Sequence, residues 1–246
     1  MSIRRFLNRF RPGPRSLQPG RAYDRWSKEY DQQAGNLVLD LDALLMAGFL
    51  AGKNLQGAVI ADVGCGTGRH WHSLYAKKPA RIAGYDISPG MLEVLRLKFP
   101  GAEIHLLKDC RLEGLEKEGC DLLISTLALA HIRNTRDVFR EWSRVIKPGG
   151  ELFITDYHPA LLARGGQRTF RYNGELFSVI SHVHPVAETR NLLGESGFSE
   201  ILYREMSIDE SMRSYYTLKN AEGVFEKFRG TPVIYGLHVK KDHDTA

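Results

Sequence analysis

Residues 59–70 read Val-Ile-Ala-Asp-Val-Gly-Cys-Gly-Thr-Gly-Arg-His, and this stretch decides the fold. An apolar run from Ala58 to Ala61 ends at Asp62 and gives way to glycines at 64, 66 and 68. Such a run closing in a glycine turn predicts a buried parallel strand that meets a helix N-terminus. Without Cβ atoms the turn can take positive φ and lie directly against a ligand. The helix behind it offers free N–H groups.

The spacing narrows the ligand. A dinucleotide turn reads G-x-G-x-x-G, with the third glycine three positions after the second. Here the third glycine follows by two, and Arg69 stands where the dinucleotide glycine would be. Downstream, a second apolar run, Arg81–Asp86, ends in an acid about 20 positions past the glycines, where a carboxylate can accept both hydroxyls of a ribose. Ser88 and Pro89 supply an N-cap and an N1 proline, and Leu92, Leu95 and Phe99 fall on one helical face. Further runs cover 104–107, 121–125 and 151–156. Between the last two, the helix Thr135–Ile146 presents Val138, Trp142, Val145 and Ile146, and Lys147-Pro148-Gly149-Gly150 suits a type II turn. Strand alternating with helix through residues 58–156 predicts a parallel sheet covered on both faces.

Taken in series, these segments resemble the Asp-x-Gly-x-Gly-x-Gly pattern of the class I S-adenosylmethionine (SAM)-dependent methyltransferases. The likeness is greatest to the quinone and small-molecule methylase group. It implies an α/β fold of Rossmann-like type, a seven-stranded mostly parallel sheet whose last strand is antiparallel. Strands at 199–206 and 232–240 would complete that sheet. It implies SAM as cofactor, with contacts from Asp62, Gly64, Gly66 and Gly68. Asp86 would take the ribose, Ile87 would lie on the adenine, Asp109 would meet the exocyclic amine with Cys110 beside it, and Leu127 would border the methionine moiety. Tyr23-Asp24-Arg25-Trp26-Ser27-Lys28-Glu29-Tyr30-Asp31 is similar to the helix that precedes the glycine turn in such enzymes. There Tyr30 would close over the sulfonium, as an aromatic face attracts a cation, with Tyr23 and Trp26 toward the substrate.

Substrate choice is expected in two segments outside the minimal fold. In residues 157–185, Asn173-Gly174 between two β-prone runs predicts a two-residue hairpin. Residues 207–231 read as mostly helical. Both are expected to roof the substrate cleft. His131 and His158, beyond the fourth and fifth strands, are the candidate bases for proton removal. Arg164, Arg168 and Arg171 offer anion recognition, although hairpin arginines are more often solvated. The stretch Ser125-Thr126-Leu127-Ala128 lacks the Asn/Asp-Pro-Pro-Tyr signature for methylating amide-like nitrogens. These features lead to methyl transfer to a small organic acceptor. The alternative is a catalytically silent SAM-binding sensor or partner subunit.

Composition sets the remaining bounds. The chain has 246 residues, 43% of them hydrophobic, enough for one full core over 21–246 behind a basic tail, 1–20. Removing the six arginines of residues 1–21 leaves 28 basic against 29 acidic residues. The net charge of +5 therefore belongs to the tail, and nucleic acid is not an expected partner. Ile3, Phe6, Leu7 and Phe10 would form a short basic amphipathic face, which suits peripheral membrane contact through residues 1–11 or packing on a partner chain, the alternative being a disordered terminus. Three cysteines in no ligand or disulfide spacing suggest no metal and a reducing, cytoplasmic setting. A homodimer stays open as an assembly.

Overall fold

The structure, a computed structural model, describes residues 13–33 and 35–243. The amphipathic face expected at 1–11 lies outside them. The chain runs β1 (Arg15–Leu17), α1 (Pro19–Trp26), a 3-10 turn (Ser27–Glu29) and α2 (Leu37–Leu50) into the alternating core. There follow β2 (Val59–Val63), α3 (Trp71–Tyr75), β3 (Arg81–Asp86), α4 (Pro89–Lys98), β4 (Glu103–Leu106), β5 (Cys120–Thr126), α5 (Thr135–Val145) and β6 (Ile146–Tyr157). The remainder is α6 (Pro159–Ala163), β7 (Thr169–Tyr172), β8 (Glu175–Val179), α7 (Val186–Glu195), β9 (Phe198–Ser207), α8 (Arg213–Thr217), α9 (Glu222–Phe228) and β10 (Pro232–Lys241).

Seven strands form one sheet in the order β4-β3-β2-β5-β6-β10-β9. The first five are mutually parallel, and β10 is antiparallel to both neighbours. The order reverses between β2 and β5, so the carboxyl ends of those strands part around a crevice, where α/β proteins hold ligands. One face packs on α5 and α7 through Phe139, Trp142, Leu192 and Leu193. The other packs on α2, α3 and α4 through Met46, Trp71, Leu92 and Leu95.

Local chemistry explains the boundaries. Ser88 Oγ accepts from Met91 N at 3.1 Å and caps α4, with Pro89 at its first position. Asn36 caps α2 through Val38 N and Leu39 N. Asn173 (φ 50) and Gly174 (φ 80) turn β7 into β8, as the left-handed pair of a two-residue hairpin requires.

One expectation is corrected. Lys147–Gly150 does not separate helix from strand as an independent turn. Cys120 pairs with Ile146 and Leu122 with Glu151, so the segment is a bulge inside β6, turned by Gly149 at φ 75. Residues 207–231 are mostly helical, as expected, in short pieces: a 3-10 turn (Glu210–Met212), α8 and α9. Ile208, Met212, Phe225 and Phe228 pack on Leu37 and Leu41 of α2. A feature absent from the sequence reading is the parallel pairing of β1 with β8, which gives a small sheet β1-β8-β7.

Candidate active site

The glycine turn is shaped before any ligand arrives. Gly64 N and Cys65 N both donate to Tyr85 O, at 2.7 and 3.1 Å, which ties the turn to β3. Gly64 takes φ 77, and a Cβ there would stand 2.5 Å from the Ala128 Cβ. Gly66 takes φ 52 and has nothing within 4 Å of a built Cβ, so bare peptide faces open space. Thr67 Oγ1 donates to Asp31 Oδ1 at 2.6 Å and fastens the segment after α1 to the turn. Behind it, the buried Asp42 of α2 accepts from Arg69 Nη2 at 2.5 Å, from His70 Nε2 at 2.8 Å and from Thr155 Oγ1. Arg69 and His70 hold Asp42 at about 2 against its burial.

The open space is a cavity of about 450 Å³ at the carboxyl ends of β2, β3, β4 and β5. Of the residues singled out in the sequence, Tyr30, Gly64, Gly66, Asp86, Ile87, Asp109, Cys110, Leu127 and His131 line it. Asp62, Gly68 and His158 do not. Asp62 is buried below the turn, where Oδ2 accepts from Trp71 Nε1 at 2.8 Å, and burial pushes it to about 7. Gly68 faces α4, with a built Cβ 3.1 Å from Leu95 Cγ. His158 caps α6 by accepting from Ala160 N and pairs with Glu205 at 3.3 Å, so its ring serves structure outside the cavity.

Asp86 shows what the cavity can hold. Its Oδ2 accepts from Gly66 N and its Oδ1 from Ser88 N, both at 2.8 Å, and each oxygen keeps a further lone pair. Burial raises it to about 6, and the backbone donors oppose that rise. A buried acceptor pair beside bare peptide suits a ribose diol, and the apolar walls of Ile87, Leu107 and Leu112 suit a flat base. Among the described residues Asp62 Oδ1 has no hydrogen-bond partner. That acceptor below the glycine turn suits a cationic amine. These residues fit S-adenosylmethionine.

The other end of the cavity is aromatic. Tyr23 of α1 and Tyr30 just beyond it form the lid, and α1 is held down where Ser88 Oγ and Gly90 N donate to Asp24 Oδ1. The hairpin buttresses this lid from behind, with Trp26 stacked on Phe170 at 4.8 Å. Neither the hairpin nor residues 207–231 line the cavity, so the roof expected from both is built by α1 instead. His131 Nδ1 donates to Ile180 O at 3.0 Å, because a carbonyl can only accept. Its Nε2 then carries a lone pair and accepts from Tyr23 Oη at 2.8 Å. Burial lowers His131 to about 4, with Arg168 acting in the same direction.

Sequence reasoning missed the ring of buried polar groups behind the lid. Arg168 Nη1 donates to Tyr157 Oη at 2.6 Å and Nη2 to Tyr30 Oη at 2.8 Å. Asp156 at the end of β6 accepts from Ala130 N and Tyr157 N. The sequence offers Arg168 only as one of three hairpin arginines open to an anion or to solvent, and does not single it out as the buried one. Its position directly before a β-run was the one available signal.

Comparison with known proteins agrees with this geometry. A methyltransferase-domain family profile matches residues 61–154. The malonyl-(acyl-carrier protein) O-methyltransferase of Hahella chejuensis is 40% identical over 98 residues, which are 39% of this chain and 35% of that protein. That match thus spans about a third of the relative's length. An uncharacterized methyltransferase of Emericella nidulans is 29% identical over 235 residues, 78% of this chain and 81% of its own. Among solved structures, an S-adenosylmethionine-dependent methyltransferase from Mesorhizobium loti superposes with a TM-score of 0.60 at 22% identity. That superposition covers 81% of this chain and 96% of the other, and shows a shared fold.

Proposed function

We propose that the protein is a class I S-adenosylmethionine-dependent methyltransferase that transfers a methyl group to a small organic acceptor, a reading supported by the methyltransferase-domain profile over residues 61–154 and by the shared fold. The observation that carries this reading is the buried Asp86 carboxylate beside the open peptide of Gly66 within one cavity. When bound, the cofactor supplies a methyl group activated by a positively charged sulfur. Asp86, Gly64 and Gly66 would hold its ribose and chain, Ile87, Asp109 and Cys110 its base, and Asp62 its amino group from below the turn. Leu127, at φ 55 after β5, closes the wall toward His131.

The remaining work belongs to the chain's own residues. In-line displacement rewards orientation above all, so a rigid cleft and a fitted lid account for several kcal/mol. Tyr23 and Tyr30 exclude water from the acceptor end. His131, neutral and with Nδ1–H committed to Ile180, offers Nε2 for the proton an O–H or N–H acceptor must lose. That proton arrives through the Tyr23 hydroxyl, which takes it on its oxygen as it passes its own hydrogen to Nε2. The acceptor end is bounded by Tyr23, Tyr30, Leu127 and Ile132, which favours a compact substrate with apolar surface.

Among the described residues no helix is long and apolar enough to cross a membrane, and no group of three or more His, Cys, Asp or Glu is placed to hold a metal ion. The test is transfer of tritium from methyl-labelled SAM into the small-molecule fraction of a cell extract. Label in an extractable product is the expected result. Binding of SAM with no transfer to any fraction would leave a silent SAM-binding protein and overturn the enzymatic reading.

A further inference from the structure

Arg168 carries one step further, resting on the methyl-transfer reading above. It precedes β7, yet it is only 4% exposed. Its Cζ lies 5.0 to 5.8 Å from the ring centroids of Trp26, Tyr30, Tyr157 and Tyr23, so four aromatic rings box the guanidinium. Two of its nitrogens donate to the Tyr157 and Tyr30 hydroxyls. Among the described residues its Nε has no hydrogen-bond partner, and no carboxylate forms an ion pair with it.

A buried cation met only by neutral groups is an unbalanced charge. The phenols do not balance it, because burial pushes Tyr23 and Tyr157 above the ordinary tyrosine value and keeps them protonated. Asp156 is the carboxylate whose field reaches the guanidinium. Its oxygens are spent on the backbone N–H groups of Ala130 and Tyr157, and burial raises it to about 7. His131 is neutral. The counter-charge is therefore incomplete within the site.

The Tyr30 hydroxyl connects this charge to the cavity. Its oxygen accepts from Arg168 Nη2, which leaves its hydrogen free to donate, and Tyr30 lines the cavity while Arg168 stands behind it. Tyr23 cannot do the same, since its hydrogen is directed at His131 Nε2. A group that reaches the inner wall of the acceptor end would meet an O–H polarised by a full positive charge, and charge-assisted bonds of this kind favour an ionised partner. The box of rings would otherwise suit an ammonium ligand. Arg168 already fills it, and an ammonium acceptor would be repelled.

We propose that the methyl acceptor bears, beside the O–H or N–H that is methylated, an oxyanion (a carboxylate or a phosphate monoester) whose charged oxygen is received by the Tyr30 hydroxyl and balanced by Arg168. Arg168 is then the residue that sets the charge class of the substrate. Tyr30 and Tyr157 hold its fork in place.

The test uses the full chain, first with S-adenosylhomocysteine (SAH) bound and in parallel without it, titrated calorimetrically with hexanoate, hexyl phosphate and the neutral hexanamide. At least one anion should bind tenfold or more tightly than hexanamide. Preference for hexanoate assigns a carboxylate, and preference for hexyl phosphate assigns a phosphate. Arg168→Gln and Tyr30→Phe should each reduce the preference below threefold. If Arg168→Gln does not melt cooperatively, Tyr30→Phe alone decides. Equal binding of anion and amide to the wild-type chain, or a preference that survives in the folded variants, would overturn the proposal. Failure of SAH itself to bind would strike the methyl-transfer reading instead, and the titration without SAH would still report the charge preference.

Discussion

Gly64 and Gly66 sit two residues apart in the same turn, and the structure assigns their missing Cβ atoms to different causes. At Gly64 an alanine methyl would stand 2.5 Å from the Ala128 Cβ with φ held at 77. Left-handed strain of about 1–2 kcal/mol adds to overpacking of about 1–3 kcal/mol. Gly64→Ala should therefore lose roughly 2–5 kcal/mol of folding stability. At Gly66 a methyl meets nothing within 4 Å, so only the strain at φ 52 remains, about 1–2 kcal/mol. That methyl would project into the space assigned to the cofactor. Gly66→Ala should bind SAH at least tenfold more weakly, a loss of about 1.4 kcal/mol or more, in a chain more stable than Gly64→Ala. Urea unfolding gives the stabilities and titration calorimetry the affinities. A Gly66→Ala variant with wild-type SAH affinity would refute the assignment of that space, as would a Gly64→Ala variant with wild-type stability.

Asp86→Ala should weaken SAH binding by about 1–3 kcal/mol, the cost of removing a buried acceptor from two hydroxyls, and a calorimetric change below about 0.3 kcal/mol would remove Asp86 from the site. Asp62→Asn should stabilise the ligand-free protein increasingly as pH is raised from 4 to 8. The folded carboxyl ionises near 7 and the unfolded one near 3.8, so wild-type stability falls across that window. Thermal melts at both ends would show a growing difference, and an equal difference at both would contradict the burial argument. His131→Ala should lower the transfer rate by about 10²–10⁴. In the wild type the acid limb should sit near pH 4 and not near 6.5, since the base is competent only when unprotonated and burial holds it at about 4. A limb at 6.5 would show that another group takes the proton.

The strands were legible because each apolar run stops at a residue with its own reason to be there. Asp62 and Asp86 close β2 and β3 at the crevice, and Ser88-Pro89 and Asn173-Gly174 carry capping and turn chemistry that does not depend on distant contacts. The cofactor end of the cavity was legible for the same reason, since Gly64, Gly66, Asp86 and Ile87 sit at strand ends and their placement follows from topology. The acceptor end was not. The lid depends on how α1 docks, and that is set by Asp24 reaching Ser88 and Gly90, 64 and 66 positions away. Arg168 looks like any hairpin arginine until Trp26 and Tyr157 close around it. His158 was misplaced because strand-end position alone does not say which way a ring turns, and Glu205 on β9 takes it.

A crystal structure of the full chain grown with millimolar SAH tests the central claim most directly. The account predicts the ribose hydroxyls on the Asp86 carboxylate, the chain of the ligand along Gly64–Gly66, and the sulfur facing Tyr30 and Leu127. Well-ordered crystals with no nucleoside in that cavity, or with the ribose away from Asp86, would contradict it.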